Sequence, residues 1–120
     1  MTTLSHAQKE RERSRIYRKK YPKVIRNRRL KYNYNITLTE YTILLNNQRG
    51  VCAICGRKER IRDNRTGKIR TLAVDHDHAT NKVRGLLCYA CNRGLGVFED
   101  DLDRIKSAVN YLQQGGVYGN

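Results

Sequence analysis

Apolar residues are sparse over the first third of the chain and become periodic only after it. Between Ala7 and Asn33 the few apolar positions are separated by Arg, Lys and Tyr, and the single proline of the chain, Pro22, lies in the middle. Because proline removes a backbone hydrogen bond and interrupts a helix that runs into it, this stretch predicts one or two helices with a break near Pro22.

The next stretch, which ends at Gly50, predicts a shorter helix with a clear start. Thr37 is followed three residues later by Glu40, which is the capping-box pattern. Apolar residues then recur at helical spacing, and glycine is the usual residue just beyond a helix end. We expect a structural helix that packs against the core through Tyr41, Leu44 and Leu45.

Two short apolar runs predict strands on either side of a polar segment. Residues 71–74 form the first run and residues 85–87 the second, which ends directly before Cys88. Residues 75–81 between them are polar and predict no regular structure. The pattern therefore favours two short strands joined by an irregular polar connection.

Two helices are predicted after the second strand. The first covers residues 89–95 and is closed by Gly94 or Gly96. The second runs from Asp100 to Gln113, and its acidic start suits the helix dipole. One face of this second helix is apolar, and we interpret it as a core contact or a homodimer contact. That face consists of Leu102, Ile105, Ala108, Val109 and Leu112.

Charge indicates the partner, because it is large and unevenly distributed. The chain carries 25 Lys and Arg against 11 acidic residues, a formal net charge of +14, and the first 35 residues hold 12 of the basic residues but only two acidic ones. A basic arm of this kind favours nucleic acid as the partner; a solvated face that aids solubility is the alternative. The predicted DNA-binding residues are Arg15, Arg18, Lys19, Lys20, Arg26, Arg28, Arg29 and, further along the chain, Arg84.

No part of the chain predicts a membrane segment or a secretion signal. A membrane-spanning helix needs about 20 consecutive apolar residues, and the N-terminal stretch is charged from Lys9 onwards. We expect a soluble, intracellular protein with no membrane partner. In a reducing compartment, paired cysteines bind metal more often than they form disulfides.

Four cysteines form two Cys-x-x-Cys pairs, Cys52 with Cys55 and Cys88 with Cys91. Each pair directs two thiolates to one ion, so two pairs predict a closed tetrahedral zinc site. Redox cysteines or two disulfides are the alternatives, although no thioredoxin-like pattern surrounds either pair. A closed site offers no position for a reactive water, so the predicted zinc stabilises the fold. The residues that carry chemistry are then expected between the two pairs.

The most informative segment lies there, where Asp75, His76, Asp77 and His78 follow one another. Hydrolysis of a phosphodiester needs a hard divalent cation, which prefers carboxylate and amide oxygens, and a base that titrates near neutral pH. This segment offers both groups. A polar turn with incidental histidines is the alternative.

Candidate roles follow from these chemical needs. Asp75 and Asn92 offer oxygen ligands, His76 is a candidate base, and His78 and Arg84 are candidates to hold the phosphate. Because side chains alternate along an extended segment, Asp75 and His76 diverge unless a local bend turns both inward.

The order of these residues is similar to that of a known family. The two Cys pairs, the run from Val74 to His78, the run from Val83 to Cys88 and Asn92 directly after the last cysteine resemble the recombination endonuclease VII family. That family is a phage-associated branch of the HNH, or ββα-metal, nucleases. The resemblance covers about residues 36–113.

The resemblance implies a β-hairpin and a helix around a catalytic Mg²⁺ or Mn²⁺, beside zinc on the four cysteines. By position, Asp75 and Asn92 would bind the catalytic metal, His76 would be the general base, and His78 would contact the phosphate or stabilise the transition state. Asp77 matches no family role, so it either orients a neighbouring histidine or faces solvent. The family also implies action in the cytoplasm of a phage-infected host cell.

Together these features predict an α+β protein with a basic helical arm over residues 1–35 and a zinc-stabilised HNH endonuclease domain over residues 36–120 that ends in a helix. The predicted function is metal-dependent cutting of DNA. Nicking, double-strand cutting and cutting of branched DNA all stay open. A non-catalytic zinc-containing nucleic-acid-binding module is the alternative. A zinc-organised protein-interaction module explains neither the charge nor the histidines.

Overall fold

The computed structural model describes residues 2–119, which form five helices and one antiparallel two-stranded sheet. The predicted α+β class is confirmed. In chain order the elements are α1 (His6–Lys20), α2 (Pro22–Tyr34), α3 (Leu38–Asn47), β1 (Ala73–His76), β2 (Val83–Leu87), α4 (Tyr89–Val97) and α5 (Leu102–Gln113).

The basic arm forms two helices that meet at Pro22. Pro22 is the first residue of α2, a position that needs no N–H donor, and Tyr21 before it has a non-helical backbone with φ −125° and ψ 58°. The predicted break is confirmed. α1 has no buried residue, and the radius of gyration of 20.0 Å exceeds the value of about 14 Å for a compact chain of this length. α1 therefore projects from the body of the protein.

α3 begins at the predicted capping box. The Thr37 hydroxyl oxygen accepts the N–H of Glu40 at 3.1 Å, and the Glu40 carboxylate accepts the N–H of Thr37 at 3.0 Å. Tyr41 of the same helix is buried, and its hydroxyl donates to the carbonyl oxygen of Leu72 at 2.6 Å. This hydrogen bond fixes α3 to the chain just before β1.

The hairpin is displaced from the predicted strands. β1 extends past residues 71–74, so that Asp75 and His76 lie in a strand and not in an irregular segment, and β2 begins earlier than predicted. Asp75 pairs with Gly85 whereas His76 pairs with Val83, which places a register shift between the two residues. A shift of this kind bends a strand locally and redirects its side chains.

Two turns in this region share one backbone pattern, over residues 63–68 (DNRTGK) and residues 77–82 (DHATNK). In each turn the leading Asp carboxylate accepts an N–H two residues later, at 2.7 and 2.8 Å, and the Asp N–H donates to the Lys carbonyl oxygen at 2.8 Å. The first turn connects Arg62 with Ile69, which form a β-bridge, and the second connects β1 with β2.

The core is small and lies between α2, α3, the hairpin and the cysteines. Leu86 at its centre is completely buried. Leu30 reaches this core from α2, so α2 packs on the domain whereas α1 does not. The buried residues are Leu30, Tyr41, Cys52, Leu72, Val74, Leu86, Leu87 and Cys88.

A side-chain amide completes the hydrogen bonding at the edge of β2. Gln48 Nε2 donates to the carbonyl oxygens of Leu86 and Val51 at 2.8 and 2.9 Å, and Gln48 Oε1 accepts the N–H of Leu86 at 2.9 Å. Gly85 allows this approach, because a Cβ atom there would lie 3.3 Å from Gln48 Oε1. The amide thus takes the place of a neighbouring strand.

Gln48→Ala is expected to lower the free energy of unfolding by about 1–3 kcal/mol, because it leaves buried backbone groups of Leu86 unpaired. Chemical denaturation of the zinc-loaded protein measures this value. Gln113→Ala removes the same side chain from an exposed position of α5 and should change stability by less than about 0.5 kcal/mol. Equal stabilities of the two variants would contradict the role given to Gln48.

α4 runs through both glycines that were predicted to close it. Gly94 and Gly96 lie inside the helix, so that prediction was wrong. The chain turns after the helix at Glu99 and Asp100, which have positive φ angles of 57° and 53°. The helix therefore ends on two left-handed acidic residues instead of a glycine.

The apolar face of α5 is largely open to solvent. Leu102 and Val109 are 63% and 48% exposed, and the face is not part of the buried cluster. Among residues 2–119, no helix combines the length and the apolar character that crossing a membrane requires.

Candidate metal centre and active site

The two Cys pairs meet in one cluster. The sulfur atoms of Cys52, Cys55, Cys88 and Cys91 all lie within 4.8 Å of one another. The Sγ atoms of Cys55 and Cys88 are 3.8 Å apart, which is the separation expected for two ligands of a tetrahedral ion with Zn–S bonds of about 2.3 Å. The four cysteines are thus positioned to hold one metal ion.

Backbone amides in the cluster favour negative charge on sulfur. The N–H groups of Ile54 and Cys91 donate to Sγ of Cys52 and Cys88, each at 3.4 Å. Burial opposes ionisation of Cys52, but these and other backbone hydrogen bonds outweigh it and lower the pKa of that thiol to about 6. Burial and the neighbouring thiols raise the pKa of Cys91 to about 12. A full set of thiolates therefore needs a cation between them.

The surroundings of the cluster fit a structural zinc ion. The donor set is entirely sulfur and leaves no position for a water ligand. Cys52 and Cys88 belong to the buried core, and Cys88 is also the N-cap residue of α4. An ion at this point would fix the start of α4 against the end of β2.

The hairpin brings the two predicted histidines together. The ring centroids of His76 and His78 are 4.7 Å apart, and the ring of Tyr34, at the end of α2, is 5.7 Å from that of His76. His76 is half-buried, whereas the side chain of His78 is 75% exposed. His76 is therefore held between two rings and His78 faces solvent.

Asp75 and Arg84 form a two-pronged ion pair across the hairpin. Arg84 Nε and Nη2 donate to the two carboxylate oxygens of Asp75 at 2.7 and 3.0 Å. Arg84 Nη2 also donates to Asp100 at 3.3 Å. The hydrogen bonds to Asp75, which have the largest effect, and to Asp100 raise the pKa of Arg84 above its ordinary value. The guanidinium therefore stays charged and joins the two carboxylates.

Asp100 is a member of this cluster that the sequence analysis missed. Its carboxylate lies 3.6 Å from His78 Nε2 and 3.3 Å from Arg84 Nη2. It reaches this position through the left-handed turn after α4, and that backbone conformation costs about 1–2 kcal/mol at a residue other than glycine. The sequence pattern indicated only an acidic helix start, so no local signal separated Asp100 from its acidic neighbours.

Asn92 is not joined to this cluster by a side-chain hydrogen bond within the described part of the chain. It is exposed on α4 and lines a cleft of about 500 Å³ between α2 and residues 59–71. Asp75 lines a different cavity together with Leu95 of α4. Asp75, His76 and His78 therefore belong to one cluster of contacts, whereas Asn92 lines a separate cleft.

Asp77 shapes the hairpin turn. Its carboxylate accepts the N–H groups of Ala79 and Thr80 at 2.8 and 3.2 Å, and these hydrogen bonds hold the pKa of the carboxyl below its ordinary value. Its hydrogen bonds are thus made with the turn itself, which positions His78 at the hairpin tip.

The predicted DNA-binding residues of α1 all lie on an exposed helix. Arg15 donates to Glu12 at 2.7 Å, and Arg18 donates to a backbone carbonyl oxygen of its own helix at 3.2 Å. Lys19 and Lys20 occupy its last turn. Their DNA-binding role stays a prediction.

The remaining predicted DNA-binding residues have more defined surroundings. Arg26 and Arg29 line the cleft beside Asn92. Arg28 lies over the ring of Tyr17, 5.8 Å from its centroid, and Arg84 is paired as described. Arg26 and Arg29 thus share a cleft with Asn92, whereas Arg28 packs against α1.

Comparison with known proteins identifies relatives of the chain. The family described as Recombination endonuclease VII matches residues 27–114. The Gene 59 protein of Mycobacterium phage D29 is 40% identical over 87 residues, which are 72% of this chain and 48% of the relative. The Gene 59 protein of Mycobacterium phage L5 is 42% identical over 85 residues, which are 70% and 48% of the two chains. The chain spans about half the length of these curated relatives.

No solved structure matches the chain significantly. The family match contains the four cysteines, both histidines of the cluster, Asp75, Asn92 and Asp100, and its description implies a nuclease that acts on DNA. The match also covers well over half of the sequence. The chain belongs to the recombination endonuclease VII family.

Proposed function

We propose that the chain is a metal-dependent endonuclease that hydrolyses phosphodiester bonds in DNA, with an HNH core over residues 36–120 and a DNA-binding arm over residues 1–35. The observation that carries this proposal is the pair of histidine rings 4.7 Å apart, of which His78 is linked to the carboxylate of Asp75 through Asp100 and Arg84. The family description supports DNA as the substrate. Because the relatives belong to mycobacteriophages, we place the activity in an infected host cell.

Asp75 and Asn92 are the proposed ligands of Mg²⁺ or Mn²⁺. The two side chains line different cavities, so binding one ion requires them to turn toward each other. Carboxylate and amide oxygens are the donors that such cations prefer, and the exposed position of Asn92 leaves room for water ligands. When bound, the ion neutralises charge on the scissile phosphate and on the leaving oxygen. The zinc proposed for the four cysteines takes no part in this chemistry, since its site is closed.

The Asp75 carboxylate accepts one hydrogen bond from Arg84 on each oxygen, so each oxygen keeps a lone pair that can bind a cation. Arg84 stays charged and keeps Asp100 as a partner at 3.3 Å, so it remains beside the site. A guanidinium at this place is suited to bind a phosphate oxygen of the DNA. Nη1 of Arg84 makes none of these hydrogen bonds and is the donor proposed to bind DNA.

His76 is the proposed general base. A neutral imidazole takes a proton from the water that attacks phosphorus. The rings of Tyr34 and His78, 5.7 and 4.7 Å away, restrict rotation of the His76 ring. The exposed His78 is suited to donate a hydrogen bond to a phosphate oxygen in the transition state.

Asp75→Asn is the variant that tests the metal site. The Mg²⁺ concentration for half-maximal cleavage of a labelled DNA duplex should rise by more than about tenfold, since loss of outer-shell partners alone weakens metal sites by about 10–100-fold. A titration of initial cleavage rate against Mg²⁺ gives this value. Asp103→Asn removes an exposed carboxylate from α5 and should leave the curve unchanged. Superimposable curves for Asp75→Asn and the unmodified protein would contradict the assignment.

One observation favours a second function, a non-catalytic zinc-containing nucleic-acid-binding module. Asp75 is already paired with Arg84 at 2.7 and 3.0 Å, which is also the geometry of a purely structural ion pair. Such a module binds DNA with a steep salt dependence but releases no cut product at any Mg²⁺ concentration. Cleavage by the unmodified protein separates the two functions.

A homodimer through α5 is proposed for double-strand cutting. Leu102 and Val109 are exposed and lie on the apolar face of α5. One protomer has one candidate site and would nick one strand, whereas two protomers would cut both. The ratio of nicked to linear plasmid early in a digest, measured beside sedimentation of the protein, tests this assembly.

A further inference from the structure

A cleft next to Asn92 is built from two basic segments that are far apart in the chain. One wall is α2, which contributes Arg26 and Arg29, and the other is the segment over residues 59–71, which contributes Arg65 and Arg70. The floor is apolar and belongs to the core through Leu30, Leu72 and Val74. The cleft has a volume of about 500 Å³, which suits a short segment of one nucleic-acid strand and not a duplex.

Most of the arginines in this cleft form no salt bridge within the described residues. Within the described residues, Arg26, Arg29 and Arg70 have no carboxylate within ion-pair distance. Arg65 is paired with Asp63, but at 3.8 Å and with 90% of its side chain exposed, so the pair is weak. The lining holds four arginines against the carboxylates of Glu59 and Asp63, which both interact electrostatically with Arg70, so the cleft keeps a net positive charge.

The two acidic residues of the cleft are engaged by the backbone. The Glu59 carboxylate accepts the N–H groups of Tyr89, Arg60 and Ile61 at 2.6, 2.9 and 3.1 Å. Burial opposes ionisation of Glu59, but these hydrogen bonds outweigh it and lower its pKa. Asp63 holds its own turn in the same way. Glu59 thereby attaches the wall formed by residues 59–71 to the start of α4.

Two of the arginines are held in place by aromatic rings. The guanidinium of Arg26 lies 4.7 Å from the ring centroid of Tyr41, and that of Arg70 lies 5.4 Å from the centroid of Tyr89. Stacking on a ring leaves the N–H groups at the edge of a guanidinium free to bind phosphate. The walls of the cleft thus carry oriented donors.

The cleft leads to the candidate active site. Asn92 and Tyr34 both line it, and the ring of Tyr34 is 5.7 Å from that of His76. A strand lying in the cleft would therefore have its next phosphate close to His76. The exposed arginines of α1 have no comparable relation to the histidines.

We propose that this cleft binds the sugar–phosphate backbone of the strand that is cut, with Arg29 and Arg70 as phosphate ligands from opposite walls. This inference rests on the proposed nuclease function and adds residues 59–71 to the DNA-binding surface. Contacts of this type position a strand without reading its sequence. The cleft accordingly contributes to affinity and to placement of the scissile phosphate, not to sequence preference.

The double variant Arg29→Ala/Arg70→Ala tests the proposal. Removal of two phosphate contacts should make the plot of log binding constant against log salt concentration shallower by about 1.8, and kcat/KM for a short duplex should fall on the order of tenfold. Binding is measured by fluorescence anisotropy of the labelled duplex with zinc-loaded protein, in buffer to which no Mg²⁺ or Mn²⁺ is added. The matched control is Arg104→Ala/Lys106→Ala, which removes two exposed charges from α5 and should change neither value.

A second variant distinguishes the loss of two charges from a loss of folding. Arg29→Lys/Arg70→Lys keeps both charges and should keep the salt slope of the unmodified protein. Its kcat/KM falls to the extent that cleavage needs the planar guanidinium group, which lysine lacks. An unchanged slope and an unchanged kcat/KM in the alanine variant would overturn the proposal. An effect on binding of an RNA duplex alone, with DNA binding unchanged, would overturn it as well.

The outcomes also separate this proposal from the proposed function. If the unmodified protein cuts DNA and the alanine variant cuts it equally well, the cleft proposal fails and the nuclease stands. If no DNA is cut under any condition but the alanine variant still loses its two phosphate contacts, the cleft is a DNA-binding site of the non-catalytic module. The part of the proposal that concerns the cut strand is then overturned.

Discussion

Cys88→Ser is expected to abolish the cooperative unfolding transition of the domain. The four sulfur atoms lie within 4.8 Å of one another, and Cys88 is buried between β2 and α4. Structural zinc binding contributes about 10–16 kcal/mol in small domains, which equals or exceeds the total stability of about 5–15 kcal/mol that a domain has. The small core cannot replace that contribution.

Zinc content by atomic absorption and unfolding by circular dichroism measure this result. The unmodified protein should bind one zinc ion and melt in one transition, and removal of the ion with a strong chelator should reproduce the behaviour of Cys88→Ser. Ser107→Ala, on the exposed side of α5, is the control and should melt like the unmodified protein. A Cys88→Ser protein that melts at the original temperature would rule out a structural zinc site.

His76→Ala is expected to lower the rate of DNA cleavage by about 10²–10⁴-fold, which is the usual contribution of a positioned general base. The affinity for DNA should be preserved, because no phosphate contact is assigned to His76. Single-turnover cleavage of a labelled duplex measures the rate, and anisotropy in buffer without added Mg²⁺ or Mn²⁺ measures the affinity. His6→Ala removes the one histidine outside the cluster and should retain full activity. Cleavage by His76→Ala at the original rate would remove His76 from the mechanism.

Features set by local chemistry could be predicted from the sequence. The capping box of Thr37 and Glu40 needs only residues three apart, and the helix break at Pro22 needs only the proline ring. The joining of Cys52 and Cys88 in one cluster followed from the spacing within each pair, because each Cys-x-x-Cys knuckle has few ways to direct its sulfurs.

Features set by contacts across the fold could not be predicted in this way. β1 includes Asp75 and His76 because these residues pair with β2, where Arg84 binds Asp75 at 2.7 Å. Their polar side chains had indicated an irregular segment. Hydrogen-bonded partners outweigh local polarity in a strand.

The end of α4 and the position of Asp100 were missed for a similar reason. Glycine is unfavourable inside a helix by about 1 kcal/mol, but Leu95 between Gly94 and Gly96 packs against the core and offsets that cost. The helix continues, and the turn beyond it then directs Asp100 to Arg84. The packing of Leu95 and the ion pair of Asp100 with Arg84 both involve residues far away in the chain, so the sequence close to Leu95 or Asp100 does not indicate them.

Cleavage of supercoiled plasmid by zinc-loaded protein tests the central claim most directly. The protein is incubated with Mg²⁺ or Mn²⁺, and a parallel reaction contains EDTA with the structural zinc confirmed to remain bound. We predict nicked or linear plasmid in both metal reactions and none in EDTA. Folded protein that shifts the plasmid in a gel but leaves it supercoiled with either metal, and that also spares branched DNA, would contradict the nuclease and favour the binding module.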